Sequence, residues 1–201
     1  MIAAPSRLLV LLAVLSVVAA GCATGKDAVA TGGSFTFVSP GGKTDILYDP
    51  PAARGTIGVL SGPDLLTNAP LSVADFPGKV VVINLWGQWC GPCRAEADDL
   101  QRVSEATKAS GVQFLGINVR DPQRDKAQDF VRDRAITYPS VYDPPMRSMI
   151  ALSANYPTSV IPSTIILDRN HRVAAVFLRE LLDRDLQPVV ERIAAESPVA
   201  P

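Results

Sequence analysis

The sequence predicts an α/β domain with a mixed central sheet flanked by helices, and three features predict it. Val80–Leu85 (VVVINL) and Val112–Val119 (VQFLGINV) are nearly continuous apolar runs, as expected of strands covered on both faces. A segment long enough for a helix lies between them. Thr164–Leu167 and Val173–Phe177 flank Asp168-Arg169-Asn170-His171, which reads as a hairpin. The 201 residues are 47% hydrophobic and 19% charged, with 19 Lys+Arg against 20 Asp+Glu. That is chain enough to bury a core, without the basic excess that nucleic-acid binding needs. Three cysteines exclude a disulfide-rich scaffold, and a single histidine excludes a His-rich metal cage.

From the amino terminus, Arg7 precedes the apolar run Leu8–Ala20 (LLVLLAVLSVVAA). The run is shorter than the roughly 20 residues of a spanning helix and fits an export signal. It ends at Ala19-Ala20-Gly21-Cys22, which resembles a bacterial lipoprotein signal. That resemblance implies that 1–21 is removed, that Cys22 is acylated, and that the chain is lipid-anchored on the outer face of a cell membrane. Residues 22–33 are rich in small side chains and read as a flexible tether.

Residues 34–197 form the predicted domain, with 34–69 as an N-terminal β extension and 198–201 as a tail. In the extension, Phe35–Val38 and Asp45–Tyr48 around Ser39-Pro40-Gly41-Gly42 suggest a hairpin, and Thr56–Leu60 a short strand. After the first buried strand and its turn, a helix is expected through about Lys108, ending at Gly111. Asp121-Pro122 reads as the N-cap and first turn of a second helix with Ala127, Phe130, Val131 and Ala135 on one face. Leu186, Val189, Val190 and Ile193 space a closing helix from Asp183 or Asp185; Pro188 favours the later start. The order β-α-β-α-β-β-α implies helices on both faces of the sheet.

The chemistry lies directly after the first buried strand, in Trp86-Gly87-Gln88-Trp89-Cys90-Gly91-Pro92-Cys93-Arg94-Ala95-Glu96. Two cysteines separated by two residues can close a small disulfide ring where the first opens a helix. A sulfur at a helix N-terminus faces unpaired N–H groups and the positive dipole end, which favour thiolate. Cys90 is therefore the expected nucleophile, and Cys93, one turn further in, the resolving thiol. Pro92 fits the first turn and stiffens the ring. A zinc half-site lacks a second cysteine pair, and a purely structural bridge across so short a loop restricts the unfolded chain little. No organic cofactor or metal is expected beyond the Cys90–Cys93 couple.

WCGPC after an apolar strand resembles thioredoxin. With the lipoprotein signal, the sequence is similar to the membrane-anchored TlpA/ResA/DsbE-type thiol–disulfide oxidoreductases, from about Leu71 to Ala195. The resemblance implies a thioredoxin-like fold and extracytoplasmic exchange with protein thiols and disulfides. Apocytochrome c or other exported proteins would be clients, and a membrane thiol relay the electron partner. It implies that Glu96, three residues beyond Cys93, tunes the cysteines' proton affinity, since Asn84 stands where cytoplasmic thioredoxins carry a buried acid. It implies a cis peptide bond before Pro162, with the Ile161 backbone, Trp89, Gly91 and Pro92 contacting the substrate. Trp86 reads as rim or core. His171, Arg94 and the Asp98-Asp99 pair read as surface groups, and 138–143 is given no chemistry. The Gly-Pro dipeptide is that of thioredoxin, a reductant at about −270 mV, whereas oxidants of the fold lie near about −120 mV. Reduction is the preferred direction and disulfide formation the alternative. Peroxidase chemistry lacks its own cysteine, and haem attachment lacks a histidine after Cys93, where Arg94 stands. A non-catalytic client-binding lipoprotein is the remaining alternative.

Overall fold

A computed structural model describes residues 33–153 and 155–197. The signal, Cys22, nearly all of the tether and the tail lie outside the described residues. The strands are β1 (Asp45–Leu47), β2 (Ser61–Pro63), β3 (Pro70–Ser72), β4 (Val80–Trp86), β5 (Val112–Val119), β6 (Ser140–Asp143), β7 (Ser163–Leu167) and β8 (Val173–Phe177). The α-helices are α1 (Gly91–Thr107), α2 (Arg124–Asp133) and α3 (Asp183–Ala194). Six strands form one mixed sheet in the order β1-β8-β7-β4-β5-β6. β4 lies inside it, parallel to β5 and antiparallel to β7. All seven residues of β4 are buried, which is why its sequence carries no alternation.

Even-numbered residues of β4 face the α-helices. Val80 and Val82 pack with Leu100 and Val103 of α1 and with Leu186, Val190 and Ile193 of α3. Trp86 joins Ala127 and Val131 of α2. The odd face, Val81, Ile83 and Leu85, packs on Phe35, Tyr48, Leu60, Met149 and Tyr156. No α-helical residue enters that second cluster among the described residues. The N-terminal extension and the 3-10 turn Arg147–Ala151 cover it, where the element order had suggested an α-helix.

Several boundaries differ from the sequence reading. Phe35–Val38 forms no hairpin arm: Ser34 bridges Thr56, and β1 pairs with β8 instead. Thr56–Leu60 is no strand beyond the Thr56 bridges, and the hairpin that forms is β2–β3, whose second arm lies just past residue 69. α2 opens at Arg124 behind Gln123, without a side-chain cap, because the Asp121 carboxylate accepts from Gln88 N and Asn118 Nδ2. Ala135 lies past the helix with φ 48° and is exposed. α3 takes the earlier start, so Pro188 sits inside it; Asp99 Oδ1 accepts from Asp183 N at 3.0 Å and fixes that start. Asp99 is therefore a tertiary anchor and not a solvated acid, whereas Arg94 and Asp98 are exposed. α1 ends as expected near Gly111, and the Arg169 guanidinium donates to the carbonyls of Gly78, Ser110 and Ala194. His171 lies in the β7–β8 turn, its Nε2 3.0 Å from Phe76 O.

Candidate active site

β4 delivers the chain to the N-terminus of α1, where Cys90 takes the N-cap position and Gly91 and Pro92 form the exposed first turn. Cys90 and Cys93 are joined as a disulfide. Cys93 N donates to Cys90 Sγ at 3.2 Å, so a free amide of the helix's first turn is aimed at that sulfur. Both cysteines are buried at the residue level, Cys90 at 4% exposed and Cys93 at 3%. The expected contrast between an open first sulfur and a covered second one is thus small in the oxidised state.

The Ile161–Pro162 peptide bond is cis. It brings Ile161 O to 3.8 Å from Cys90 Sγ, at the start of β7 and opposite the helix N-terminus. Trp89 is 44% exposed, and its Nε1 donates to Val119 O at 3.1 Å. Its indole folds back over Gly87, where a Cβ would sit 2.3 Å from Nε1, so any side chain at this position would displace the indole. Trp86 is core, with Nε1 3.4 Å from Ser140 Oγ.

Glu96 lies on the buried face of α1, one turn beyond Cys93, and is 0% exposed. Its Oε1 accepts from Asn84 Nδ2 and its Oε2 from Leu181 N, both at 2.9 Å. Burial pushes its carboxyl up to about 8; the two hydrogen bonds oppose this, and the charges of Glu180 and Asp99 add to it. Asn84 also donates to Thr164 Oγ1 at 3.2 Å, so β4, β7 and α1 share one polar junction. A cavity of about 10 Å³, the size of one water, lies behind the disulfide, lined by Asn84, Trp86, Cys93, Ala97, Leu100 and Tyr138 among others.

The structure thus gathers Cys90, Cys93, Trp89, Gly91, Pro92, Ile161 and Pro162 at one end of the sheet, with Glu96 beneath. Cys22 lies outside the described residues. Sequence reading missed Asp121 and Asn118, both buried. Asp121 Oδ2 accepts from Gln88 N at 3.1 Å and from Asn118 Nδ2 at 3.2 Å, while Tyr142 Oη donates to Asp121 O at 3.0 Å. They brace the loop that carries Trp89. The clue was an acid two residues past the end of a buried strand. The arrangement can hold a thiolate and admit an extended chain beside the cis-proline, with a buried carboxyl one helical turn beyond Cys93.

The Redoxin family model matches residues 60–191. ResA, a thiol-disulfide oxidoreductase of Geobacillus kaustophilus, is 30% identical over 121 residues, covering 60% of this chain and 67% of its own. A structure described as a DsbF homologue from Corynebacterium diphtheriae is 49% identical, with TM-score 0.74, covering 79% of this chain and 99% of its own. A secreted thiol-disulfide isomerase from Corynebacterium glutamicum is 47% identical, with TM-score 0.78, covering 81% and 99%. Among the described residues no helix is long and apolar enough to cross a membrane. A pair of cysteines at a helix start, a facing cis-proline and these relatives converge: the chain belongs to the Redoxin family and is a thiol–disulfide oxidoreductase of thioredoxin-like fold.

Proposed function

We propose that the chain reduces disulfides of exported proteins outside the cytoplasm, with Cys90 as nucleophile and Cys93 as resolving thiol. The Cys90 thiolate attacks one sulfur of a client disulfide, and the other client sulfur leaves as a thiolate. Where Glu96 is ionised, towards pH 8 and above, Cys93 passes its proton to that carboxylate and attacks the Cys90 sulfur, releasing the second client thiolate. Client disulfide and enzyme dithiol become client dithiol and the Cys90–Cys93 disulfide. A membrane thiol relay returns the two electrons. Acylation at Cys22 would hold the enzyme against that relay, and apocytochrome c is the client class that the reductive direction favours.

The carrying observation is Cys90 Sγ at the N-terminus of α1, 3.8 Å from the carbonyl that precedes the cis-proline. An extended client segment fits beside Ile161, with Trp89, Gly91 and Pro92 as the exposed contact surface. A Cys93→Ser variant is expected to accumulate mixed disulfides with exported proteins, and Cys90→Ser to form none and to lose insulin reduction. Equal trapping by both variants would refute the assignment. Disulfide formation is the second reading, the Cys90–Cys93 disulfide being the form that would take electrons from a client dithiol. A couple near about −270 mV supports reduction and one near about −120 mV supports oxidation.

A further inference from the structure

Leu65, on the loop joining β2 and β3, brings a side chain of the N-terminal extension into the apolar cluster that holds both cysteines. It is 1% exposed and belongs to the apolar cluster of Trp86, Cys90, Cys93, Ala127 and Val131. The next residue, Leu66, is 45% exposed, so the loop turns one leucine in and one out.

The loop is built to hold that position. Asp64 Oδ1 accepts from Leu66 N at 3.0 Å, Thr67 N at 2.7 Å and Thr67 Oγ1 at 2.8 Å, an Asx-type turn. Leu65 N donates to Ser140 O at 2.7 Å, and Leu65 O accepts from Arg124 Nε at 3.0 Å and Gln128 Nε2 at 2.8 Å. Arg124 also donates to Asp64 O and to Asn68 Oδ1, and stands over the Tyr142 ring. A Cβ on Gly62 would fall 2.5 Å from Val141 Cγ1, so β2 lies this close to β6 only because the residue is glycine. A short loop tied to α2 and β6 by its own backbone is a fixed cover.

We propose that Leu65 is a plug that keeps water and foreign reactants from the Cys93 sulfur. A thiol under apolar cover resists ionisation, so attack from solution falls on Cys90 alone. The extension thereby imposes the order of the two sulfurs, which their equal burial in the disulfide does not. This purpose rests on the assignment of Cys93 as the resolving thiol.

The test alkylates the reduced full-length protein with iodoacetamide and assigns the modified cysteine by peptide mass spectrometry. The wild type is expected to react at Cys90 with Cys93 protected. Leu65→Ala should raise the Cys93 rate about tenfold or more, the effect of removing most of one leucine's apolar cover, with little change at Cys90. Leu65→Met should restore protection. Arg124→Gln, which loosens the loop without touching either sulfur, should act in the same sense as Leu65→Ala, and carries the test if that variant does not fold. An unchanged Cys93 rate, or rates at both cysteines rising together, would overturn the plug. An inert Cys90 alongside Cys93 exposed by Leu65→Ala would refute the exchange reading and leave the plug standing.

Discussion

Glu96 receives two N–H bonds, which favour a carboxylate, yet it sits where burial outweighs them and its proton is held to about 8. That carboxyl is raised from about 4.5, so the unfolded chain ionises first. Its contribution to stability is present in full below pH 4.5 and is lost as pH rises through 8, a difference on the order of a few kcal/mol. Glu96→Gln removes the titration, but its amide N–H₂ must then oppose the donor on Asn84 or on Leu181, at a cost of about 1–3 kcal/mol. Unfolding in urea at several pH values should therefore show the variant gaining on the wild type from about pH 5 to 9. Its exchange rate should lose a step near pH 8; parallel stability curves and an unchanged rate profile would contradict this. The spacing from Cys93 made Glu96 legible in the sequence. Its partner Leu181 was not, because that N–H arrives from a loop that only the fold brings near.

At the scale of elements, β4, α1, β5, β7 and β8 were readable because each buries a long stretch with a clear period or none. β2, β3 and β6 are short, and their apolar residues acquire meaning only against their partners. Asp121 misled for a related reason. Asp-Pro is a sound helix opening, but this carboxylate is engaged by Gln88 N, so α2 begins later. Asp121→Ala leaves that N–H without its acceptor and frees the loop that sets Trp89. We expect exchange to slow roughly tenfold, with partial rescue by Asp121→Asn, whose amide oxygen can still accept, and a shift in Trp89 emission. Assay of kcat/KM alongside indole fluorescence checks it. Activity lost equally in both variants, with unmoved emission, would point to a purely structural role.

Over the whole molecule, one buried cation ties the extension to the domain. The Arg54 side chain is 0% exposed and pairs with Asp49 at 2.9 Å, Asp168 at 3.4 Å and Glu196 at 2.6 Å, with Tyr48 O at 2.8 Å. These partners follow β1, β7 and α3, so the two ends of the described chain close on one residue. Arg54→Met leaves Asp168 to Arg172, and Asp49 and Glu196 to Arg192, but removes the donors to Tyr48 O and to all three carboxylates; it should cost about 2–3 kcal/mol, lowering the unfolding midpoint by roughly 5–10 °C in calorimetry. A change below about 1 kcal/mol would show the cluster to be dispensable. Sequence could not reveal it, because its members lie far apart along the chain. What the assembled molecule does for Cys90 is set one sulfur at the start of α1, against the cis-proline loop. Titration of that thiol in the reduced protein, followed by thiolate absorbance with alkylation confirming the site, tests this most directly. The account predicts ionisation well below the ordinary cysteine value of about 8.5. A sulfur still protonated and unreactive above that value would contradict it.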